Sequence, residues 1–182
     1  MTFNKAIHNR QSIRLQGYDY SRSGIYFVTI NIIDRNNKPG FLGKIVDGAM
    51  LLNELGKIVE EVWREIPNHF KGVELDAFII MPDHMHGLII INETEELSNN
   101  PDNLIYQNRG VVSQELALKK RSLGSIVGSF KAEVSRRINR KLKTERASIW
   151  QRNFYERIIR DDKELEAVRC YIENNPANWG RK

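Results

Sequence analysis

Two hydrophobic periods alternate along the chain. Ile25–Ile32 ("IYFVTINI") is crowded with β-branched and aromatic side chains and predicts a strand. Past the turn residues Asn36, Asn37, Pro39 and Gly40, the stretch "KIVDGAMLL" predicts a hairpin reversing at Asp47-Gly48. Asn53 is placed to cap a helix that carries Leu55, Ile58, Val59, Val62, Trp63 and Ile66 at helical spacing and ends near Pro67. Val73–Met81 and His86–Asn92 are nearly unbroken apolar runs around Pro82-Asp83, the pattern of strands covered by helices. From Leu123 the period is helical again: Leu123, Ile126, Val127, Phe130, Val134, Ile138 and Leu142 mark one face of a long helix. Ile149–Ile159 ("IWQRNFYERII") reads as a strand. Asp161, with Glu164 three residues on, opens a last helix that Pro176 stops.

The order strand, hairpin, helix, strand, strand, helix, strand, helix predicts an α+β layer. An antiparallel sheet with helices packed on one face, the ferredoxin-like split βαβ arrangement, satisfies it. With 182 residues the chain suits a single domain, 1–182, large enough to bury a core without disulfide or metal staples. A polar N-terminal extension occupies 1–23. Residues 93–121, acidic at first and rich in Asn, read as a surface loop inserted between core elements.

Composition narrows the setting. The single cysteine, Cys170, excludes an intrachain disulfide, Met1–Arg10 is polar and basic rather than a leader, and no apolar run approaches the roughly 20 residues of a membrane span. A cytoplasmic protein without membrane contact is expected. The net charge of +5 is unevenly placed: residues 1–121 carry −1 and residues 122–182 carry +6. Lys131, Arg136, Arg137, Arg140, Lys141 and Lys143 decorate the polar side of the long helix, which is either a solvated basic face or the footprint of a nucleic acid.

The chain has four histidines, and two of them stand one residue apart in "FIIMPDHMHGLIII". In a strand, residues i and i+2 share a face, so His84 and His86 converge while Met85 points the other way into packing. Neutral imidazoles so placed are either hydrogen-bonded core residues or ligands of a divalent metal. His8 and His69 lie in unrelated contexts, so a third ligand has to come from elsewhere. In "CYIENNP", Tyr171 and Asn175 are four apart, on one helix face beside the apolar stripe of Leu165, Val168 and Ile172. An Asn carbonyl suits a hard cation and a tyrosine beside a metal is a candidate nucleophile. From spacing alone, a core-edge tyrosine and an Asn capping a helix before proline are the better fit.

The segments "SIRLQGYDYSRSGIYFVTI", "MPDHMHGLI", "SLGSIVGSFKAEVSRRIN", "WQRNFYERIIRD" and "YIENNPANW" resemble, in that order, those of the single-tyrosine HUH endonucleases (His, hydrophobic residue, His), and within them the REP-associated tyrosine transposase branch of the IS200-like transposases. The resemblance implies an RRM-like palm in which His84 and His86 bind Mg²⁺ or Mn²⁺, with Asn175 as a third ligand and Tyr171 as the nucleophile. One departure stands out: Arg157 occupies the place of a common His in "YEH". Tyr155 is the rival nucleophile, ranked below Tyr171 because no ligand partner follows it by four residues.

Such a family member would act on single-stranded or hairpin DNA, as a monomer or homodimer. Lys131, Arg136, Arg137, Arg140 and Arg152 are the expected phosphate contacts, and Arg14 and Tyr18 the candidates for an unpaired guide segment. Two other functions fit the same pattern: a non-catalytic RRM-like protein gripping hairpin nucleic acid, and a metal-dependent phosphodiesterase using water.

Overall fold

The computed structural model describes residues 18–33, 40–93, 121–145 and 147–180. Arg14, the rest of the N-terminal extension up to residue 17 and nearly all of the polar loop lie outside them. The strands are β1 (Gly24–Asn31), β2 (Gly43–Val46), β3 (Ala49–Leu52), β4 (Val73–Ile80), β5 (His84–Ile91) and β6 (Tyr155–Ile159). The helices are α1 (Glu54–Arg64), a single turn α2 (Ile66–His69), α3 (Leu123–Leu142) and α4 (Asp162–Asn174), followed by a 3₁₀ turn over Pro176–Asn178.

Four strands form one antiparallel sheet in the order β4-β5-β1-β6. Leaving aside the β2–β3 hairpin, the chain runs β1, α1, β4, β5, α3, β6, which is the split βαβ arrangement with β1 and β5 central. The hairpin reverses at Asp47 and Gly48, both at positive φ (51° and 75°), as a two-residue turn matched to strand twist requires. Asn53 caps α1 by accepting from the backbone N–H of Leu55 and Gly56. Ser122 caps α3 and Asp161 caps α4 in the same way.

The two sheet faces differ. On one, Tyr26, Val28, Ile30, Met85, Ile89 and Ile91 pack against Val59, Val62 and Trp63 of α1 and Ile126, Phe130, Val134 and Ile138 of α3. The expected pair of helices therefore shares one face. On the other, Leu88, Ile159 and the partly buried Phe27 and Ile79 meet Leu165, Val168 and Ile172 of α4. Burial on both faces explains why β5 reads as one apolar run.

Two boundaries differ from the sequence reading. β5 begins at His84 because the Met81 N–H donates to the His84 carbonyl (2.8 Å) and closes the Pro82-Asp83 turn at once, so both histidines lie in the strand. The stretch from Ile149 is not a continuous strand: Trp150 makes one bridge to Ile32, and Asn153 at φ 67° interrupts the run before β6. Among the described residues no helix is long and apolar enough to cross a membrane.

Gly87, the glycine of "HMHG", lies opposite Val28 with the fully buried Trp63 ring directly on it, and an added Cβ would overlap the indole. A rigid ring cannot swing aside, so Gly87→Ala is expected to cost about 1–3 kcal/mol of stability. Urea unfolding checks this, and the cost should shrink in a Trp63→Leu background.

Candidate active site

His84 and His86 both project from β5 toward the α4 face, and their Nε2 atoms approach to 3.1 Å. Each ring is held from behind through Nδ1. Asp83 Oδ1 lies 2.6 Å from Nδ1 of His84, and Thr29 Oγ1 lies 2.8 Å from Nδ1 of His86. A carboxylate can only accept here, so Nδ1 of His84 carries a proton and, in the neutral ring, Nε2 keeps its lone pair. The Thr29 oxygen can do the same for His86. Thr29 reaches it because β1 and β5 pair with Thr29 directly opposite His86.

His86 is 5% exposed and stacks on Phe27, with ring centroids 5.4 Å apart. Burial first, and the neighbouring His84 second, push its pKa down to about 4. It is therefore neutral near pH 7, the form that offers a lone pair.

Tyr171 is set by the register of α4. Val168 and Ile172 are buried beneath the helix, which leaves Tyr171 at its edge, 51% exposed, with its hydroxyl 3.3 Å from Nε2 of His86. Two ion pairs hold the helix in place. Arg169 binds Asp76 of β4 and keeps that carboxyl below its ordinary pKa, and Arg157 of β6 binds Glu164 at 2.5 Å. The residue that departs from the family pattern thus ties the edge strand to α4.

Asn175 follows Tyr171 by one turn as the C-cap of α4; its side-chain amide has no hydrogen-bond partner among the described residues. The 3₁₀ turn then brings Trp179 back, its ring 5.7 Å from that of His84.

These donors fit a divalent cation. Two ligand nitrogens each about 2.1 Å from one ion and at right angles lie about 3.0 Å apart, close to the 3.1 Å seen. Outer partners on both Nδ1 atoms are the usual accompaniment of metal-binding histidines. Among the described residues no group of three or more His, Cys, Asp or Glu gathers as a metal site, so a further donor from among them is of another type, such as the Asn175 amide oxygen. Asp83→Ala is expected to weaken Mn²⁺ binding by roughly 10- to 100-fold while the fold persists, measured by titration calorimetry.

The expected DNA contacts scatter. Arg137 is committed inside the protein: its guanidinium binds Glu65 at the end of α1 and Glu133 one turn back on α3. Lys131 donates to the carbonyls of Gln151 and Asn153, at 2.7 and 2.8 Å. Both hold elements together instead of standing free for phosphate. Arg136 is exposed and paired with Glu133; Arg140 and Arg152 are exposed. Tyr18 packs on the edge of Tyr20, with its hydroxyl 3.4 Å from that of Tyr26. α3 covers the sheet face opposite His84 and His86, so its basic side does not join the site.

Other cations do. A cleft of about 680 Å³ beside α4 is lined by Phe27, Thr29, His86 and Tyr171 together with Arg157, Arg160 and Lys163. Asp83, Thr29, Phe27, Trp179, Arg160 and Lys163 were not singled out from sequence as site residues. Only Asp83, adjacent to the histidine pair, carried a local signal; the others depend on strand register and on where α4 docks.

Comparison with known proteins agrees with the fold. The family profile described as "Transposase IS200 like" matches residues 115–175. An uncharacterized protein of Haemophilus influenzae is 40% identical over 177 residues, 97% of this chain and 93% of that protein. A second protein of the same organism, described as a REP-associated tyrosine transposase, is 29% identical over 162 residues, 89% of this chain and 75% of that one. Among solved structures, a REP-associated tyrosine transposase bound to a REP hairpin superposes with a TM-score of 0.59 at 18% identity, covering 92% of this chain and 74% of that one, and so shares the fold. The chain belongs to the IS200-like transposase family, of which the REP-associated tyrosine transposases are a branch.

Proposed function

We propose that this transposase-family protein is a metal-dependent nuclease and strand transferase for single-stranded or hairpin DNA, working through a covalent 5′-phosphotyrosine on Tyr171. The observation that carries the reading is the row of three groups on one face: the Tyr171 hydroxyl 3.3 Å from His86 Nε2, itself 3.1 Å from His84 Nε2. The solved relative bound to a hairpin supports the choice of DNA.

His84, His86 and Asn175 would hold Mg²⁺ or Mn²⁺. A divalent ion there supplies positive charge that polarises the scissile phosphate and offsets charge gathering in an in-line displacement. Tyr171 stands at the open edge of α4, where a strand lying along the cleft brings a phosphate to it. Its oxygen forms a bond to phosphorus as the bond from phosphorus to the 3′ oxygen breaks. The 3′ oxygen leaves to become a hydroxyl, and the 5′ phosphate stays on tyrosine. One phosphodiester has replaced another, so a 3′ hydroxyl can attack back and rejoin strands without ATP. Arg160 and Lys163, with no ion-pair partner among the described residues, flank the path of the strand.

Labelled hairpin DNA with an unpaired tail, incubated with the protein and Mn²⁺ and run on a denaturing gel, tests the reading. A protein-linked band that a chelator abolishes is expected. Cut strands without an adduct would indicate water as nucleophile, and binding without cleavage a recognition module.

The placement of the cations makes a second expectation. Arg160→Ala and Lys163→Ala should each flatten the salt dependence of tailed-hairpin binding by about 0.7 in log–log slope for every phosphate no longer neutralised. Arg137→Ala should leave the slope unchanged and instead lower stability by about 1 kcal/mol through removal of its ion pairs. Fluorescence anisotropy across a salt series, with thermal unfolding alongside, separates the two outcomes.

A further inference from the structure

β6 is an edge strand, and α4 covers only part of it. Ile159 at its end is buried against the helix, whereas Tyr155 at its start is 52% exposed. Tyr155 pairs directly with Thr29, so the two share a face with His86, which Thr29 bonds. Tyr155 therefore lies two strand spacings, roughly 10 Å, from His86 along one row of the sheet. Two residues on, Arg157 points to the same face and lines the cleft with Arg160 and Lys163.

Isolated exposed aromatics are ordinary, so exposure alone decides nothing. The backbone anchoring makes this one unusual. The segment entering β6 is pinned by Lys131 on the carbonyls of Gln151 and Asn153, by Gln151 N–H on the Asn31 carbonyl, and by Ile33 N–H on the Ile149 carbonyl. Among the described residues the Tyr155 side chain itself has no hydrogen-bond or ring partner. A flat ring on a rigid strand, open on its outer side and two residues from Arg157 on the same face, matches the way unpaired bases are held: a π-face for the base and positive charge along the strand for its phosphates.

We infer that Tyr155 is a stacking platform for a base of the unpaired strand near the scissile phosphate, a positioning residue for substrate rather than a second nucleophile. The inference rests on the proposed single-stranded DNA reading of the site. It also explains why Lys131 faces inward, since its ammonium holds the backbone that presents the ring.

The probe is a set of tailed hairpin oligonucleotides carrying 2-aminopurine at each tail position in turn, bound to the full chain in Mn²⁺. With wild-type protein, fluorescence at one or two neighbouring positions should be quenched. Tyr155→Ala should abolish that quenching and weaken binding by roughly 5- to 100-fold, the range for loss of one stacked base, with the salt slope kept. Tyr155→Phe should restore both. Thermal unfolding should not move, because the side chain is exposed. If wild-type protein binds and no quenched position responds to Tyr155→Ala, the inference is wrong. Adduct formation, scored in the same samples, reports on the reading beneath it: an adduct without Tyr155-dependent quenching overturns the platform alone. Tyr155-dependent quenching without an adduct overturns the nucleophile and keeps the platform, and failure to bind any tailed hairpin overturns both.

Discussion

Tyr171→Phe is expected to eliminate the covalent protein–DNA band and the free 3′ hydroxyl product together. The change removes one oxygen and keeps the ring, so the edge contacts with Phe27 and His86 survive, with centroids at 6.0 and 5.2 Å. The hydroxyl of this half-exposed residue contributes one 3.3 Å contact to the fold, worth about 1 kcal/mol at most. Stability and hairpin affinity should therefore remain close to wild type while strand cleavage falls by several orders of magnitude, as it does when a covalent nucleophile is deleted. Tyr155→Phe, made in parallel, should still form the adduct. The reverse pattern, an adduct with Tyr171→Phe and none with Tyr155→Phe, would show that the wrong tyrosine has been identified. Wild-type cleavage in both variants, with no adduct in either, would end the transposase-like mechanism in favour of water.

The second large effect belongs to the histidine pair. His84→Ala and His86→Ala should each abolish Mn²⁺-dependent cleavage and leave hairpin binding largely intact, because the candidate phosphate contacts are Arg160 and Lys163 rather than imidazoles. The two variants should differ in stability. His84 is partly exposed and packs against Trp179, so its loss should cost little. His86 is buried between Phe27 and Tyr171 and bonded to Thr29, so its truncation leaves a cavity and an unpaired hydroxyl, about 2–4 kcal/mol together. Unfolding curves measured beside the cleavage assay distinguish lost chemistry from lost fold. Cleavage by wild-type protein in excess EDTA would remove the metal from the mechanism.

Local pattern was enough to place most elements. The period of Leu123–Leu142 marked α3 residue by residue, Asp47-Gly48 marked the hairpin turn, and Asn53 marked the start of α1. These features depend on a few neighbours: apolar spacing, a cap oxygen, a pair of residues that tolerate positive φ. The strand reading of residues 149–154 failed for the same reason. Its apolar and aromatic content suits a strand, but its backbone is fixed by Lys131 of α3, which lies at least 18 residues away in sequence.

The order of residues alone set the chemistry on offer and part of its geometry. His84, Met85 and His86 had to alternate across a strand, and Tyr171 and Asn175 had to share a helix face, because those relations follow from the backbone repeat. Whether the two faces meet was left open by every local rule. The pairing of β1 with β5 settles it by setting Thr29 behind His86, and the docking of α4 on Leu88 and Ile159 carries Tyr171 to the histidines. The same packing separated the cations. The basic pattern of α3 looked like a nucleic-acid surface, yet its apolar stripe binds it to the opposite face and turns Lys131 and Arg137 inward. Arg160 and Lys163, inconspicuous in sequence, line the cleft because α4 begins beside the edge strand. Charge is legible one residue at a time; which charges share a surface follows from long-range burial, and that is a property of the folded chain.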